Sequence, residues 1–130
     1  MESNPVIRYN YNAQINPPAP FVLVTLKNVL TGAEAANLPA QLDCAADRTL
    51  LSRVVEALGL PTIGSIQIGG VGGTIAEMLV YAVRLSLHDL PERDVEVVAH
   101  LDESWILLGR DVLNFHRIVL DGPRLALELQ

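Results

Sequence analysis

The chain has 130 residues, a formal net charge of −6 and a single cysteine. Half of its residues are hydrophobic and 18% are charged, which is typical of one compact domain and not of a disordered chain. The negative charge argues against binding to nucleic-acid phosphates, and no apolar run approaches the ~20 residues of a membrane-spanning helix. The first residues lack the basic and apolar regions of a secretory signal, and one cysteine cannot form an internal disulfide. We therefore expect a reducing compartment, the cytoplasm.

The N-terminal region predicts a strand followed by a stiff arm. In residues 6–16, apolar and polar side chains alternate with the period of a half-buried strand. Prolines within residues 17–20 then interrupt the pattern, because proline cannot donate to a strand ladder. We treat residues 1–20 as an N-terminal strand and arm, and residues 21–130 as the main domain. The arm either packs on its own domain or reaches a partner.

The next segments predict two strands and a helix. Residues 21–30 are almost continuously apolar, residues 31–37 contain a turn, and residues 39–43 return as a strand. Gly59 and Pro61 are typical of a helix end. The apolar face of the preceding helix is predicted to comprise Leu50, Leu51, Val54, Val55 and Leu58.

The second half of the chain predicts mainly strands. Apolar segments flank a glycine-rich run and predict a hairpin over residues 63–87, and alternation predicts a further strand near residues 94–99. Residues 110–115 predict a short helix, and residues 118–129 predict a closing hairpin. The chain is thus expected to be mostly β, with one longer and one short helix.

Asp43 is the candidate catalytic residue. It ends an apolar strand and is followed by the small residues Cys44, Ala45 and Ala46, which let other backbone approach closely. A carboxylate in such a place suits acid–base chemistry. Taken alone, the same stretch also fits an ordinary turn or helix-cap carboxylate.

Three segments, taken in order, resemble the retropepsin-like aspartic proteases, the single-domain relatives of the retroviral enzymes. They are Leu42–Asp47, Ile68–Ile75 and Ile106–Asp111. They resemble the catalytic turn, the glycine-rich flap and the segment that opens a late helix in that family. The resemblance covers roughly residue 21 to the C-terminus and implies a closed acid-protease barrel with a flap hairpin. At the turn, Cys44 stands where the family has Thr or Ser, and Ala45 stands where it has Gly.

The resemblance implies an aspartic endopeptidase that acts on peptide or protein substrates. Such enzymes use two carboxylates that share one proton. This chain has one copy of the turn, so activity implies a homodimer in which Asp43 faces its symmetry mate. We expect no cofactor and no metal ion, because the three histidines show no metal-ligand spacing.

The resemblance also assigns residues outside the turn. Gly69, Gly70, Val71, Gly72 and Gly73 are expected to form the flap, with Gly70 and Val71 contacting the substrate. A phosphate-binding loop is disfavoured here, because the run lacks the Lys-Ser/Thr pair and lies between strands.

The resemblance further implies that Asp47 and Arg110 form an ion pair that ties the late helix to the turn.

Several alternatives remain open at this level. A thiol is a weaker hydrogen-bonding group than the family's hydroxyl, so Cys44 is expected to loosen the turn and attenuate the enzyme. The main alternative to a protease is a weak or inactive module that binds extended peptides. A third hypothesis is a structural dimerisation domain. A Cys44 nucleophile is disfavoured, because its sequence neighbour Asp43 is anionic.

Overall fold

A computed structural model gives the structure of the chain and describes residues 6–69, 72–100 and 104–130. The strands are β1 (Ile7–Asn10), β2 (Phe21–Lys27), β3 (Glu34–Leu42), β4 (Leu50–Leu51), β5 (Thr62–Gly69), β6 (Ile75–Leu87), β7 (Arg93–Ala99), β8 (Ile106–Leu108), β9 (Ile118–Asp121) and β10 (Ala126–Leu129). The helices are α1 (Val54–Leu58) and α2 (Arg110–Leu113), and a 3-10 turn covers Gly122–Arg124. None of the helices in these ranges is long and apolar enough to cross a membrane.

Six strands close into a barrel. They pair in the order β2-β3-β8-β4-β7-β6, and an antiparallel pairing of β2 with β6 joins the two ends. Strand β5 pairs with the side of β6 that faces away from β7, so the β5–β6 hairpin extends from the barrel wall. The predicted mostly β, closed-barrel fold is therefore confirmed.

Aliphatic side chains fill the barrel. Alternation along the strands directs every second side chain inward, as the burial pattern of β2 shows. The inward side chains are large and almost wholly excluded from solvent, and they include Leu26, Leu51, Leu85, Val97, Ile106 and Leu108. This continuous core fixes the strand register, because a shift by one residue would turn each strand's apolar side outward.

Strand pairing brings two of the sequence motifs to one edge of the barrel. Strands β3 and β8 are parallel, with Ala40 opposite Ile106 and Leu42 opposite Leu108. Parallel strands that are in register end at the same edge of a sheet. Asp43, which follows β3, therefore emerges beside Gly109, which follows β8.

The longer helix is shorter than predicted. Leu50 and Leu51 form strand β4, which pairs with both β7 and β8, and the helix begins only at Val54. Leu51 is completely buried between these strands. A short apolar run fits a buried strand as well as a helix face, so periodicity could not decide between them.

The N-terminal strand is also shorter than predicted, and it pairs with its own chain. Strand β1 covers Ile7–Asn10 and pairs antiparallel with β10, which pairs in turn with β9. The chain then folds back through a bridge between Asn12 and Ala19. Of the two alternatives for the arm, the structure shows packing on its own domain.

A buried asparagine connects the β2–β3 loop to the end of α1. Asn28 is 1% exposed, and its Nδ2 donates to the carbonyl oxygens of Leu58 at 3.0 Å and Gly59 at 3.2 Å. Its Oδ1 accepts from the backbone N–H of Leu30 at 3.0 Å. One amide thus supplies hydrogen-bond partners to backbone groups from two separate segments.

We expect Asn28→Ala to lower the free energy of unfolding by about 2 kcal/mol, because buried backbone groups would lose their partners. Urea denaturation at fixed protein concentration measures the change. Asn10→Ala, at an exposed strand position, serves as the control and should change stability by less than about 0.5 kcal/mol. Equal effects of the two substitutions would contradict a special role for Asn28.

Candidate active site

The turn that carries Asp43 is held by its own backbone and by β8. The N–H of Asp43 donates to the carbonyl of Leu108 at 2.9 Å. The Asp43 Oδ1 accepts from the N–H of Ala45 at 3.2 Å, and its carbonyl accepts from the N–H of Ala46 at 3.2 Å. The bond from the Ala45 N–H to the Asp43 side chain is a local loop closure typical of Asp. The half-buried carboxylate therefore has a defined orientation, whereas Cys44 and Ala45 are exposed.

A buried threonine and an aspartate connect the turn to α2. Thr49 is completely buried, and its Oγ1 donates to Asp111 Oδ1 at 2.7 Å. Its backbone N–H donates to Asp111 Oδ2 at 3.0 Å, and the same hydroxyl accepts from the N–H of Gly109 at 3.1 Å. Every polar group in this small network has a partner. The sequence did not identify this network, because Thr49 and Asp111 are 62 residues apart and no local pattern links them.

Gly109 lies against the backbone of the turn. A Cβ at this position would lie 2.6 Å from the carbonyl carbon of Arg48 and 2.7 Å from its oxygen. The next residue, Arg110, donates its N–H to the carbonyl of Ala46 at 2.8 Å. Position 109 thus requires a glycine because its backbone is in contact with the backbone of Arg48, and not because of an unusual backbone angle.

Arg110 reaches the turn through different acceptors from those predicted. Its Nη1 donates to the carbonyl oxygens of Cys44 at 3.0 Å and Ala45 at 3.1 Å. The predicted Asp47–Arg110 pair does not occur among the ion pairs within the described ranges, and both side chains lie at the surface. In this chain the guanidinium still ties α2 to the turn, but it does so through backbone carbonyls.

A cleft of about 470 Å³ lies between the turn and the β5–β6 hairpin. Its aliphatic walls come from the barrel and from the hairpin, and they comprise Leu50, Val98, Leu107, Ile66, Ile68 and Met78. Ala45, Ala46, Asp47 and Gly69, which are predicted site residues, also line it. Arg48, Gln67 and His100 add polar groups. The sequence did not single out these three, because they adjoin the cleft only through strand pairing.

Three glycines of the glycine-rich run, Gly69, Gly72 and Gly73, lie at the end of the β5–β6 hairpin. Strands β5 and β6 pair from Thr62 opposite Tyr81 to Gly69 opposite Ile75. Gly72 and Gly73 have φ angles of 87° and 78°, in the left-handed region that favours glycine. Gly70 and Val71, the predicted substrate contacts, lie outside the described residues. Their role stays a prediction.

The described ranges hold no group of three or more His, Cys, Asp or Glu side chains arranged to hold a metal ion.

Solved structures with a similar fold are aspartic proteases. EIAV protease in complex with the inhibitor HBY-793 is 23% identical, with a TM-score of 0.58 over 82% of this chain and 93% of that one. A retropepsin-like aspartic protease from Rickettsia conorii is 15% identical, with a TM-score of 0.58 over 97% of this chain and 99% of that one. This chain has the retropepsin-like fold. The protease of Simian Foamy Virus (mac) is 19% identical, with a TM-score of 0.53 over 74% and 93% of the two chains.

No protein-family model matches the sequence, and no curated protein does either. At identities of 15–23%, the solved structures establish the retropepsin-like fold and leave the activity to be argued from the site. Within that fold, the closed barrel is the part of the expected architecture that is confirmed. The roles assigned to Asp43, to the turn and to the flap remain predictions.

We expect Gly109→Ala to lower the free energy of unfolding by about 1–3 kcal/mol, because the added methyl group would push the Arg48 backbone away. Any catalytic activity should fall as well, since the displaced segment belongs to the Asp43 turn. Thermal and urea denaturation measure the first effect. Gly122→Ala is the matched control, because a Cβ there meets no atom within 4 Å. A Gly109→Ala protein as stable as this control would contradict the close packing.

Proposed function

We propose that the chain is an aspartic endopeptidase in which two Asp43 carboxylates, one from each subunit of a homodimer, hydrolyse peptide bonds. The observation that carries the proposal is the oriented, half-buried Asp43 carboxylate in a retropepsin-like fold, two residues before Ala45, which lines the cleft. A cytoplasmic location accords with the single, exposed cysteine.

The proposed mechanism needs one proton shared by the two carboxylates. Two carboxylates in close contact do not both ionise, so the pair carries one proton that belongs to both residues. The ionised carboxylate takes a proton from a water molecule, whose oxygen attacks the peptide carbonyl carbon. The protonated one donates to the carbonyl oxygen. Collapse of the resulting tetrahedral diol breaks the C–N bond, and the amine leaves with a proton from the pair.

The cleft supports an extended peptide as the substrate. It lies between the barrel and a hairpin, and its walls combine aliphatic side chains with the polar groups of Arg48, Gln67 and His100. A hairpin that closes over a peptide excludes water and offers backbone hydrogen bonds along the chain. The aliphatic walls favour apolar substrate side chains, because their burial there is favourable.

A second candidate function rests on the composition of the turn. Cys44 and Ala45 replace a hydroxyl and a glycine beside the carboxylate. A thiol forms weaker hydrogen bonds than a hydroxyl, and small displacements of catalytic groups, of about 1 Å, can reduce rates about a hundredfold. The chain would then bind extended peptides with little or no cleavage.

We expect Asp43→Asn to lower cleavage of a denatured protein or peptide library by about a hundredfold or more, because the amide cannot act as a base. The assay spans acidic to neutral pH, with and without pepstatin. Asp89→Asn, at an exposed carboxylate, is the matched control and should leave cleavage unchanged. Wild-type protein that binds peptides but cuts none would replace the protease with the binding module.

The proposed dimer can be examined on the same proteins through Cys44. It is the only cysteine of the chain and it is exposed beside Asp43, so two copies should lie close together at the proposed dyad. A short reagent with two maleimide groups should then link wild-type subunits into dimers and leave Cys44→Ser subunits unlinked. Absence of linkage, together with a monomer in sedimentation equilibrium, would contradict a paired Asp43 site.

If the altered turn attenuates the enzyme, Cys44→Thr combined with Ala45→Gly should raise turnover by about ten- to a hundredfold. The hydroxyl would restore a hydrogen bond of about 1–3 kcal/mol across the dimer axis, and glycine would relieve crowding. Steady-state kinetics on a cleaved peptide measures the change. The same double substitution in Asp43→Asn should stay inactive. No gain over an active wild type would show that Asp-Cys-Ala is a competent form of the motif.

A further inference from the structure

A row of paired residues crosses the outer face of the barrel. Residues that lie opposite each other in a sheet direct their side chains to the same face. Across six strands, from β6 to β2, the row comprises Val80, Val98, Leu50, Leu107, Gln41 and Phe21. Three of its members, Leu50, Val98 and Leu107, line the cleft. The row therefore continues the cleft floor past Leu107 to Gln41 and Phe21.

The far end of the row lies beside the candidate catalytic residue. Successive side chains of a strand point to opposite faces, so residues two positions apart share a face. Gln41 is two residues before Asp43, and Asp43 directly follows β3. A substrate side chain next to the scissile bond would therefore meet the part of the floor that Gln41 and Leu107 form.

An indole covers this part of the floor. Trp105 Nε1 donates to Gln41 Oε1 at 3.0 Å. The indole ring packs edge-on against Phe21, with ring centroids 5.4 Å apart and ring planes at 72°. Edge-to-face packing is a favourable aromatic geometry, and a buried indole N–H usually has an acceptor. Two different contacts thus hold the side chain of Trp105 in one orientation.

The burial of Phe21 shows that the indole takes up space on the floor. Phe21 is 8% exposed, yet it does not belong to the cluster of buried side chains that fills the barrel, whereas its neighbour Val22 does. An outward phenyl ring is excluded from solvent only where other side chains cover it, and Trp105 is in contact with this one. Within the described residues, the cleft is lined by Leu107 but not by Gln41 or Trp105. The open space therefore ends where the indole begins.

We propose that Trp105 is a specificity-determining residue that restricts the substrate position next to the scissile bond to small side chains such as Gly, Ala and Ser. The inference rests on the proposed function and names a class of peptide for the same site. A larger side chain would have to displace the indole, which would separate its N–H from the Gln41 oxygen. Positions further along the peptide meet the aliphatic walls and keep room for larger apolar side chains.

The symmetry of the proposed dimer extends the restriction to both sides of the bond. Each subunit of a two-fold dimer supplies one Trp105, as it supplies one Asp43. The two residues that flank the scissile bond would then meet one indole each. We expect cleavage between two small residues, with larger apolar residues at more distant positions.

A pair of matched peptides tests the restriction. Cleavage sites in a denatured protein library are first identified by mass spectrometry, and two peptides based on the best site then differ only in Ala or Phe beside the scissile bond. We expect wild type to cleave the Ala peptide with a kcat/KM at least about ten times higher than that of the Phe peptide. In Trp105→Ala this ratio should fall by about tenfold or more, because the vacated space accepts a phenyl ring.

Two further variants separate the position of the indole from general damage to the fold. Gln41→Leu has a side chain of similar size that cannot accept the indole N–H, so the Ala/Phe ratio should fall by about three- to fivefold. Leu30→Ala, at a 75% exposed position in the β2–β3 loop, is the control and should leave the ratio unchanged. Circular dichroism checks that each variant is folded. If Trp105→Ala does not fold, the result for Gln41→Leu decides.

The outcomes separate this inference from the proposed function. A wild-type preference for Phe, or a ratio that neither Trp105→Ala nor Gln41→Leu changes, overturns the restriction, while Asp43-dependent cleavage keeps the protease. If wild type cleaves no peptide, the protease fails, and affinities for extended peptides with Ala or Phe at each position are compared instead. A position at which Phe weakens binding to wild type but not to Trp105→Ala keeps the restriction. Equal affinities at every position, or no binding, overturn it.

Discussion

The hydrogen bonds between residues 43–49 and residues 108–111 determine where the candidate catalytic carboxylate lies. The N–H of Asp43 is bound by the carbonyl of Leu108, and Thr49 is bound through both its backbone and its side chain by Asp111. These segments are about sixty residues apart in sequence, yet parallel pairing of β3 and β8 makes them neighbours. The contact is close enough to require a glycine at position 109. The strand pairing that closes the barrel therefore also fixes the position of the Asp43 turn.

The β5–β6 hairpin and the β1-β10-β9 sheet lie outside this network of hydrogen bonds. The β5–β6 hairpin forms one wall of the cleft, and the barrel forms the other. A single chain supplies one Asp43, and the mechanism of an aspartic protease needs two carboxylates. Strand β9 of the β1-β10-β9 sheet follows α2, the helix that is hydrogen-bonded to the Asp43 turn.

The side chains of Cys44 and Ala45 lie beside the Asp43 carboxylate and outside this hydrogen-bonded framework. Neither Cys44 nor Ala45 takes part through its side chain in the bonds that hold the turn; Arg110 binds their backbone carbonyls. Substitution at these positions can therefore change the dyad while the barrel and the late helix stay in place. Because the scaffold tolerates this change, a retropepsin-like fold does not by itself establish catalytic power. The distinction between an attenuated protease and a peptide-binding module depends on a few atoms beside the carboxylate.

The sequence by itself determined the mostly β class and the positions of the Asp43 turn, the glycine-rich hairpin and Gly109, because these depend on local patterns and short motifs. It misassigned Leu50 and Leu51 to a helix, since a short buried strand and a helix face share the same apolar signal. The Thr49–Asp111 network, the carbonyl contacts of Arg110 and the place of His100 in the cleft were decided only by tertiary structure. Each depends on which strands pair and in which register. That choice is made by burial of the whole core, which no single stretch of sequence contains.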